Sequence, residues 1–255
     1  MPLLQVEHIK KVYNTKLGLA RCVALSDVSF SVEAGEFVAV MGASGSGKTT
    51  LLNLLASLDK PSEGEIKLDG CSFADIPEKK MAEFRRDNLG FVFQDFNLLD
   101  TFTLRDNIFL PLVLQRKSVQ EMDEKIRPVA AALNIEALLD KYPYEVSGGE
   151  KQRAAIARAV ITGPKLLLAD EPTGALDSRS SRELLEVFET LNAEGRTIVM
   201  VTHSAMAASY ASRVLFIRDG KIFAQIYRGD QTRRAFFDKI VSNMAVLTDG
   251  EAPCE

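Results

Sequence analysis

Phe37-Val38-Ala39-Val40-Met41-Gly42-Ala43-Ser44-Gly45-Ser46-Gly47-Lys48-Thr49-Thr50-Leu51-Leu52 carries the pattern of a strand, a loop and a helix. Its first five residues form an unbroken apolar run, the pattern of a buried parallel strand. The next eight match G-x-x-x-x-G-K-[ST]. Lys48 to Leu58 then reads as a helix, with Leu51, Leu52, Leu54, Leu55 and Leu58 on one apolar face. A strand, a glycine-rich loop and a helix in this order are suited to hold phosphate. Gly42, Gly45 and Gly47 let the backbone curl so that successive N–H groups, through Ala43, Ser44 and Ser46, converge on phosphate oxygens. The helix that follows aims its positive end at the same point. Lys48 adds a point charge for β- and γ-phosphates, the Thr49 hydroxyl suits Mg²⁺, and Thr50 lies in the same first turn.

A second apolar strand, Leu166-Leu167-Leu168-Ala169, runs into Asp170-Glu171. Carboxylates at the C-terminal end of a buried parallel strand face the ligand crevice. Asp170 is a candidate Mg²⁺ ligand, directly or through water, and Glu171 a candidate base for an attacking water. The strand Thr197–Val201 ends at Thr202-His203. A lone histidine is commonly structural, but its place at the mouth of a core strand makes His203 a site candidate.

The 255 residues, 46% of them hydrophobic, suffice for a sizeable core. A net charge of −4 supplies no basic field for nucleic acid, and the pairs Arg85-Arg86, Arg116-Lys117 and Arg233-Arg234 are isolated. Three scattered cysteines, Cys22, Cys71 and Cys254, indicate neither a disulfide framework nor a zinc site, so a reducing cytosol is the default. No apolar run reaches membrane-spanning length, and the start resembles no signal peptide. Work at a membrane would need a partner to supply the membrane part.

Val28, Phe30 and Val32 alternate with Ser29 and Ser31, a half-buried strand, and the first ~40 residues read as strands and turns. Residues about 75–160 are helix-rich and punctuated by Pro77, Pro111, Pro128 and Pro143, an inserted helical lobe. Alternation resumes with the strand at 166, a helix over about 179–193 and the strand at 197. A hairpin follows, Val214–Ile217 and Ile222–Ile226 around Asp219-Gly220. The tail from Asp230 predicts an amphipathic helix with Phe236, Phe237, Ile240, Met244 and Leu247 along one side, packed on its own domain or against a partner.

Many protein classes carry a phosphate loop and a second carboxylate site. Val146-Ser147-Gly148-Gly149-Glu150-Lys151-Gln152-Arg153 narrows the field, because it resembles the signature of ABC ATPases, usually written LSGGQ. Ser147 is a good N-cap for the helix it opens. The resemblance implies an α/β fold: a P-loop NTPase core with a mostly parallel sheet, an N-terminal antiparallel β subdomain and a helical lobe inserted at about 90–160. The cassette would span 1–225, with a C-terminal extension over 226–255. It implies ATP and Mg²⁺ as cofactors. Two copies would pair head to tail, Ser147, Gly148, Gly149 and Glu150 of one closing on the γ-phosphate held by the other. Tyr13 looks like the aromatic that stacks on adenine, although a core tyrosine is the plainer alternative. Gln94 resembles the glutamine that touches Mg²⁺ and water and reports nucleotide state to the helical lobe. Ala175-Leu176-Asp177 resembles the loop that crosses the dimer interface, and His203 the switch histidine on the γ-phosphate. Val146 and Glu150 depart from the usual leucine and glutamine without removing the serine or the glycines.

Phe93–Leu99 and Asp106–Leu112 resemble the macrolide-exporter and lipoprotein-release class, whose ATPase drives a permease with a large external domain. Phe216–Lys221, Ile226–Asp230 and Arg234–Phe237 are similar to ATPase subunits of bacitracin-type antimicrobial-peptide resistance transporters. The resemblance implies an integral membrane permease, a membrane histidine kinase in many such systems, no nucleic acid, and a place on the cytoplasmic face of the cell membrane. The alternatives are an ATPase of the lipoprotein-release or macrolide-export type, a soluble ABC ATPase acting on DNA or ribosomes, and a P-loop kinase or GTPase.

Overall fold

Alternating burial along the first residues writes two long strands. The computed structural model describes residues 2–14 and 21–248; the Leu247 side chain and Cys254 lie outside the described residues. Strand β1 (Leu4–Asn14) buries Leu4, Val6 and Ile9 and pairs antiparallel with β2 (Arg21–Val32), in a register that sets Leu4 opposite Val32 and Tyr13 opposite Cys22. Next come β3 (Phe37–Met41), all five residues buried, and α1 (Lys48–Leu55), which buries Leu51, Leu52, Leu54 and Leu55. This helix stops three residues short of the expected end. Ser57 takes a left-handed φ of 51°, and the N–H groups of Leu58 and Asp59 fold back on the Asn53 carbonyl at 2.9 and 3.3 Å. Leu58 is therefore off the apolar face, 55% exposed. Strand β4 (Glu63–Leu68) pairs with the other edge of β1, and β5 (Cys71–Ser72) with β4.

Two compact units follow from the contacts, Met1–Pro77 with Thr197–Glu255, and Glu78–Arg196. The second unit runs α2 (Glu78–Asn88), β6 (Leu89–Val92), α3 (Leu104–Leu114), α4 (Val119–Ala132), α5 (Gly148–Val160), β7 (Leu166–Asp170) and α6 (Ser178–Ala193). Strand β6, inside the stretch read as helical, pairs parallel with β7. Four residues are too few to show a period. At Gly90 an added Cβ would meet the Ala159 carbonyl oxygen at 2.4 Å, so β6 and α5 touch backbone to backbone. Pro111 and Pro128 fall inside α3 and α4 instead of punctuating them. Each removes one backbone hydrogen bond, in helices whose inner faces bury Ile108 and Leu112, or Ile126 and Ala130. Serine or threonine capping boxes start three helices: Thr103 with Asp106, Ser118 with Glu121, Ser147 with Glu150.

The chain returns to the first unit with β8 (Thr197–Val201), α7 (Ala205–Ala208), β9 (Arg213–Arg218), β10 (Lys221–Tyr227) and α8 (Arg233–Thr248). Strand order there is β5-β4-β1-β2-β10-β9-β3-β8. The fold is α/β, with β3 parallel to both its neighbours, β8 and β9, and the antiparallel β1, β2, β4 and β5 at the other end of the order. The boundary expected at residue 225 falls inside β10. Phe236 and Ile240 of α8 are buried, α8 packs on α7, and the Arg233 guanidinium lies 3.9 Å from the Tyr210 ring centroid.

Candidate functional site

In the first unit the site grows from the ends of two adjacent parallel strands. Val40 of β3 pairs with Val201 of β8, so Gly42 and His203 leave neighbouring strands at the same edge. Between β3 and α1 the loop makes one tight turn, Ser46 N–H to Ala43 carbonyl at 3.3 Å. Ala43, Ser44, Gly45 and Thr49 are exposed, while Ser46 is buried and its hydroxyl has no hydrogen-bond partner. Gly47 has a φ of 102°, and a Cβ there would meet the Ala24 carbonyl at 2.5 Å. Gly47 is also the N-cap of α1, without any side-chain cap, and no acidic residue stands in the first turn. The helix thus presents uncapped N–H groups toward the loop, which is how a helix start receives phosphate. The Lys48 ammonium donates to the Gly42 and Ala43 carbonyls at 2.9 and 2.8 Å, so the charge lies over the loop.

Tyr13 flanks this loop, 40% exposed. Its hydroxyl donates to Asp59 at 2.9 Å, and the Lys11 ammonium lies 4.9 Å from its ring centroid. Burial, followed by the Asp59 hydrogen bond, pushes the phenol above its ordinary range, while the Thr50 hydroxyl works the other way. Thr50 and Tyr13 are therefore neighbours. His203 is exposed just past β8, where the buried Thr202 hydroxyl accepts from Ser204 N–H at 3.0 Å and fixes the turn into α7.

In the second unit, β6 and β7 bring Gln94 and the Asp170-Glu171 pair to one edge, since Val92 pairs with Ala169. Glu171 takes a left-handed φ of 44°, a strained conformation for a non-glycine residue and of the kind concentrated at functional sites. The turn after it closes with Gly174 N–H to the Glu171 carbonyl at 2.8 Å. A Cβ at Gly174 would meet the Gln94 carboxamide carbon at 3.0 Å, so Gln94 rests on this turn. Ser147 is exposed; its N–H and hydroxyl both donate to the Glu150 carboxylate, at 2.7 and 2.8 Å. These bonds hold Glu150 below the usual carboxylate range. A Cβ at Gly148 would meet Leu176 at 3.4 Å, and one at Gly149 would meet Ser180 at 3.2 Å, so the signature turn lies against the start of α6. Asp177 is the N-cap of that helix, accepting from Arg179 N–H, Ser180 N–H and the Ser180 hydroxyl at 2.9, 3.0 and 2.6 Å.

Sequence reasoning missed four residues. Gln152 is fully buried in α5 and donates to the carbonyls of Phe93 and Pro172. The Arg158 guanidinium, which burial pulls below its usual range, holds the Phe96 and Asn97 carbonyls; both residues have positive φ. Lys11 and Asp59 hold Tyr13. Only Lys11 gave a signal, as a charge at a strand position that proves 9% exposed.

The sequence profile of the ABC transporter family matches residues 25–174, from β2 through the signature helix to Gly174. The chain belongs to the ABC transporter family. As a member it is an ATP-binding and ATP-hydrolysing subunit. It is 51% identical to the bacitracin export ATP-binding protein BceA of Halalkalibacterium halodurans over 248 residues, 97% of each chain. The dimeric structure of MJ0796 from Methanocaldococcus jannaschii, an ABC transporter cassette, superposes with a TM-score of 0.80 at 37% identity, covering 88% of this chain and 98% of that one. A second MJ0796 dimer, in a post-hydrolysis state with ADP and Pi, has a TM-score of 0.79 at 36% identity with the same coverage. Among the described residues no helix is long and apolar enough to cross a membrane.

Proposed function

We propose that this ABC ATPase works at the cytoplasmic face of the cell membrane and powers a separate integral permease. The transporter would export, detoxify or signal bacitracin-like antimicrobial peptides. The observation that carries this reading is the 51% identity with a bacitracin export ATP-binding protein through 97% of both chains. A membrane histidine kinase is a further partner in such a system.

The residue roles rest on the geometry of each unit. N–H groups of Gly42 to Lys48 cradle the phosphates, and Lys48 exchanges its two loop carbonyls for β- and γ-oxygens. The partnerless Ser46 hydroxyl and the uncapped start of α1 support a phosphate ligand here. Thr49, Thr50 and Tyr13 complete the nucleotide side, Tyr13 by stacking on adenine. Thr49 in the first unit supplies a hydroxyl, and Asp170 and Gln94 in the second a carboxylate and an amide carbonyl; each is an oxygen donor of the kind Mg²⁺ takes, and the ion, when bound with ATP, would neutralise phosphate charge. Glu171, on a strained turn at the end of β7, orients and deprotonates the attacking water, and His203 contacts the γ-phosphate. Two copies pair around ATP, with Ser147, Gly148, Gly149 and Glu150 facing phosphate across the interface and Asp177 lining it. The dimeric cassette of 37% identity supports the pairing of two copies.

The test is purification of the chain from detergent-solubilised native membranes, with mass spectrometry of what accompanies it. A permease with a large external domain is the expected companion. Recovery with ribosomal or DNA-associated proteins and no permease would overturn the transport reading and leave the ATPase intact.

A further inference from the structure

We infer that Asp59, together with Lys11, is a positioning residue for base recognition: it holds the Tyr13 ring in place as the adenine platform before nucleotide arrives. The inference deepens the proposed function and rests on its reading of Tyr13. One oxygen of Asp59 accepts from the Tyr13 hydroxyl at 2.9 Å; the other accepts from the Lys11 ammonium at 2.6 Å. Lys11 also donates to the Lys60 carbonyl at 2.7 Å, and is itself 4.9 Å from the Tyr13 ring centroid. The tyrosine is thus held at its hydroxyl by an anion and met by the cation that the same anion binds. Tyr13 as a residue stays 40% exposed.

The position of Asp59 is set by the end of the phosphate-loop helix. Its N–H, with that of Leu58, closes on the Asn53 carbonyl of α1. One short helix therefore carries the phosphate cradle at its start and the tyrosine anchor just past its end. The same helix, Lys48–Leu55, also sets Thr50 of its first turn beside Tyr13. Charge agrees with geometry. Burial works to raise the Asp59 carboxyl, but the Lys11 and Tyr13 hydrogen bonds outweigh it and hold the group below its usual range, while Tyr13 stays a donor. A free tyrosine side chain on a strand edge samples more than one rotamer. Fixing it beforehand removes an ordering cost from binding.

The experiment compares ATP with inorganic tripolyphosphate, which lacks the base, for equilibrium binding to the purified full chain. The Tyr13–Asp59 hydrogen bond is of the charge-assisted kind, so Asp59→Ala is expected to weaken ATP about five- to tenfold. Tripolyphosphate should change by no more than about twofold. Asp59→Asn, whose single amide oxygen can still accept from the phenol but which loses the charge and the second acceptor that meet Lys11 and the Lys60 N–H, should recover only part of the loss. In a Tyr13→Phe background, which lacks the hydroxyl, Asp59→Ala should add little. Equal loss for ATP and tripolyphosphate would mean that Asp59 only terminates α1, and would overturn the inference, as would an undiminished Asp59→Ala effect in the Tyr13→Phe background. Tyr13→Ala is the separate check. Loss of ATP preference there with none at Asp59→Ala overturns the inference alone. No loss at Tyr13→Ala overturns the platform reading and the inference with it.

Discussion

The side-chain nitrogen of Gln152 donates to the main-chain carbonyl of Pro172 at 2.9 Å. The same nitrogen reaches the carbonyl of Phe93 at 3.0 Å. One buried amide on the signature helix therefore sits beside the neighbours of both Glu171 and Gln94. Gln152→Ala leaves two carbonyls without a donor, which costs about 1–3 kcal/mol. The expected result is a lower melting temperature together with a fall in ATP turnover larger than the fall in ATP affinity. Unchanged turnover at saturating ATP would show that the tie does not serve the reacting groups.

Gly47→Ala tests the loop. A Cβ at a φ of 102° is strained on its own, and here it would also meet the Ala24 carbonyl at 2.5 Å. The strain amounts to about 1–3 kcal/mol. The start of α1 must shift, so ATP affinity should collapse while the second unit keeps its helical circular dichroism. Wild-type ATP affinity in a titration would contradict the cradle geometry.

Glu171→Gln keeps the size of the side chain and removes its basicity. Turnover should drop about 10²- to 10⁴-fold, with ATP still bound and the dimer accumulating on size-exclusion chromatography. Ser147→Arg places a bulky cation at the exposed start of α5; ATP should bind the single chain and fail to assemble two. Near wild-type hydrolysis in the first variant, or an ATP-dependent dimer in the second, would reject the corresponding role.

Glu121 gives a pH prediction. The Lys117 ammonium, then the Ser118 N–H and hydroxyl, lower its carboxyl from 4.5 to about 2. A folded-state pKa below the unfolded one means stability that is present above the unfolded value and lost as pH falls through the folded value. The melting-temperature gap between wild type and Glu121→Gln should be widest above about pH 5 and narrow toward pH 2. A gap that is constant with pH would mean that the capping box contributes no linked proton.

Legibility in the sequence followed the length of the pattern. The run Phe37–Met41, the loop after it and the acid pair at the end of β7 are local, so their order alone pointed to the α/β core and to the loop proposed here to hold phosphate. The signature serine was readable as an N-cap for the same reason. Strand β6 was not, because Leu89–Val92 offers too few residues to show a period. Leu58 was misplaced because a helical face continues in sequence past the point where Ser57 turns left-handed. Gln152, Arg158 and Asp59 were invisible for another reason. Each acts on backbone or side-chain atoms far off in sequence, and those pairings exist only after folding.

The last helix bears on how far the chain can be trimmed. Helix α8 is packed on α7, the short helix that begins two residues after His203, with Phe236 and Ile240 fully covered. Removing the tail would strip the apolar cover from the support of the loop that carries this histidine. A cassette cut after β10 is therefore not the same catalyst with less protein attached; it is one whose histidine loop rests on a newly wetted surface.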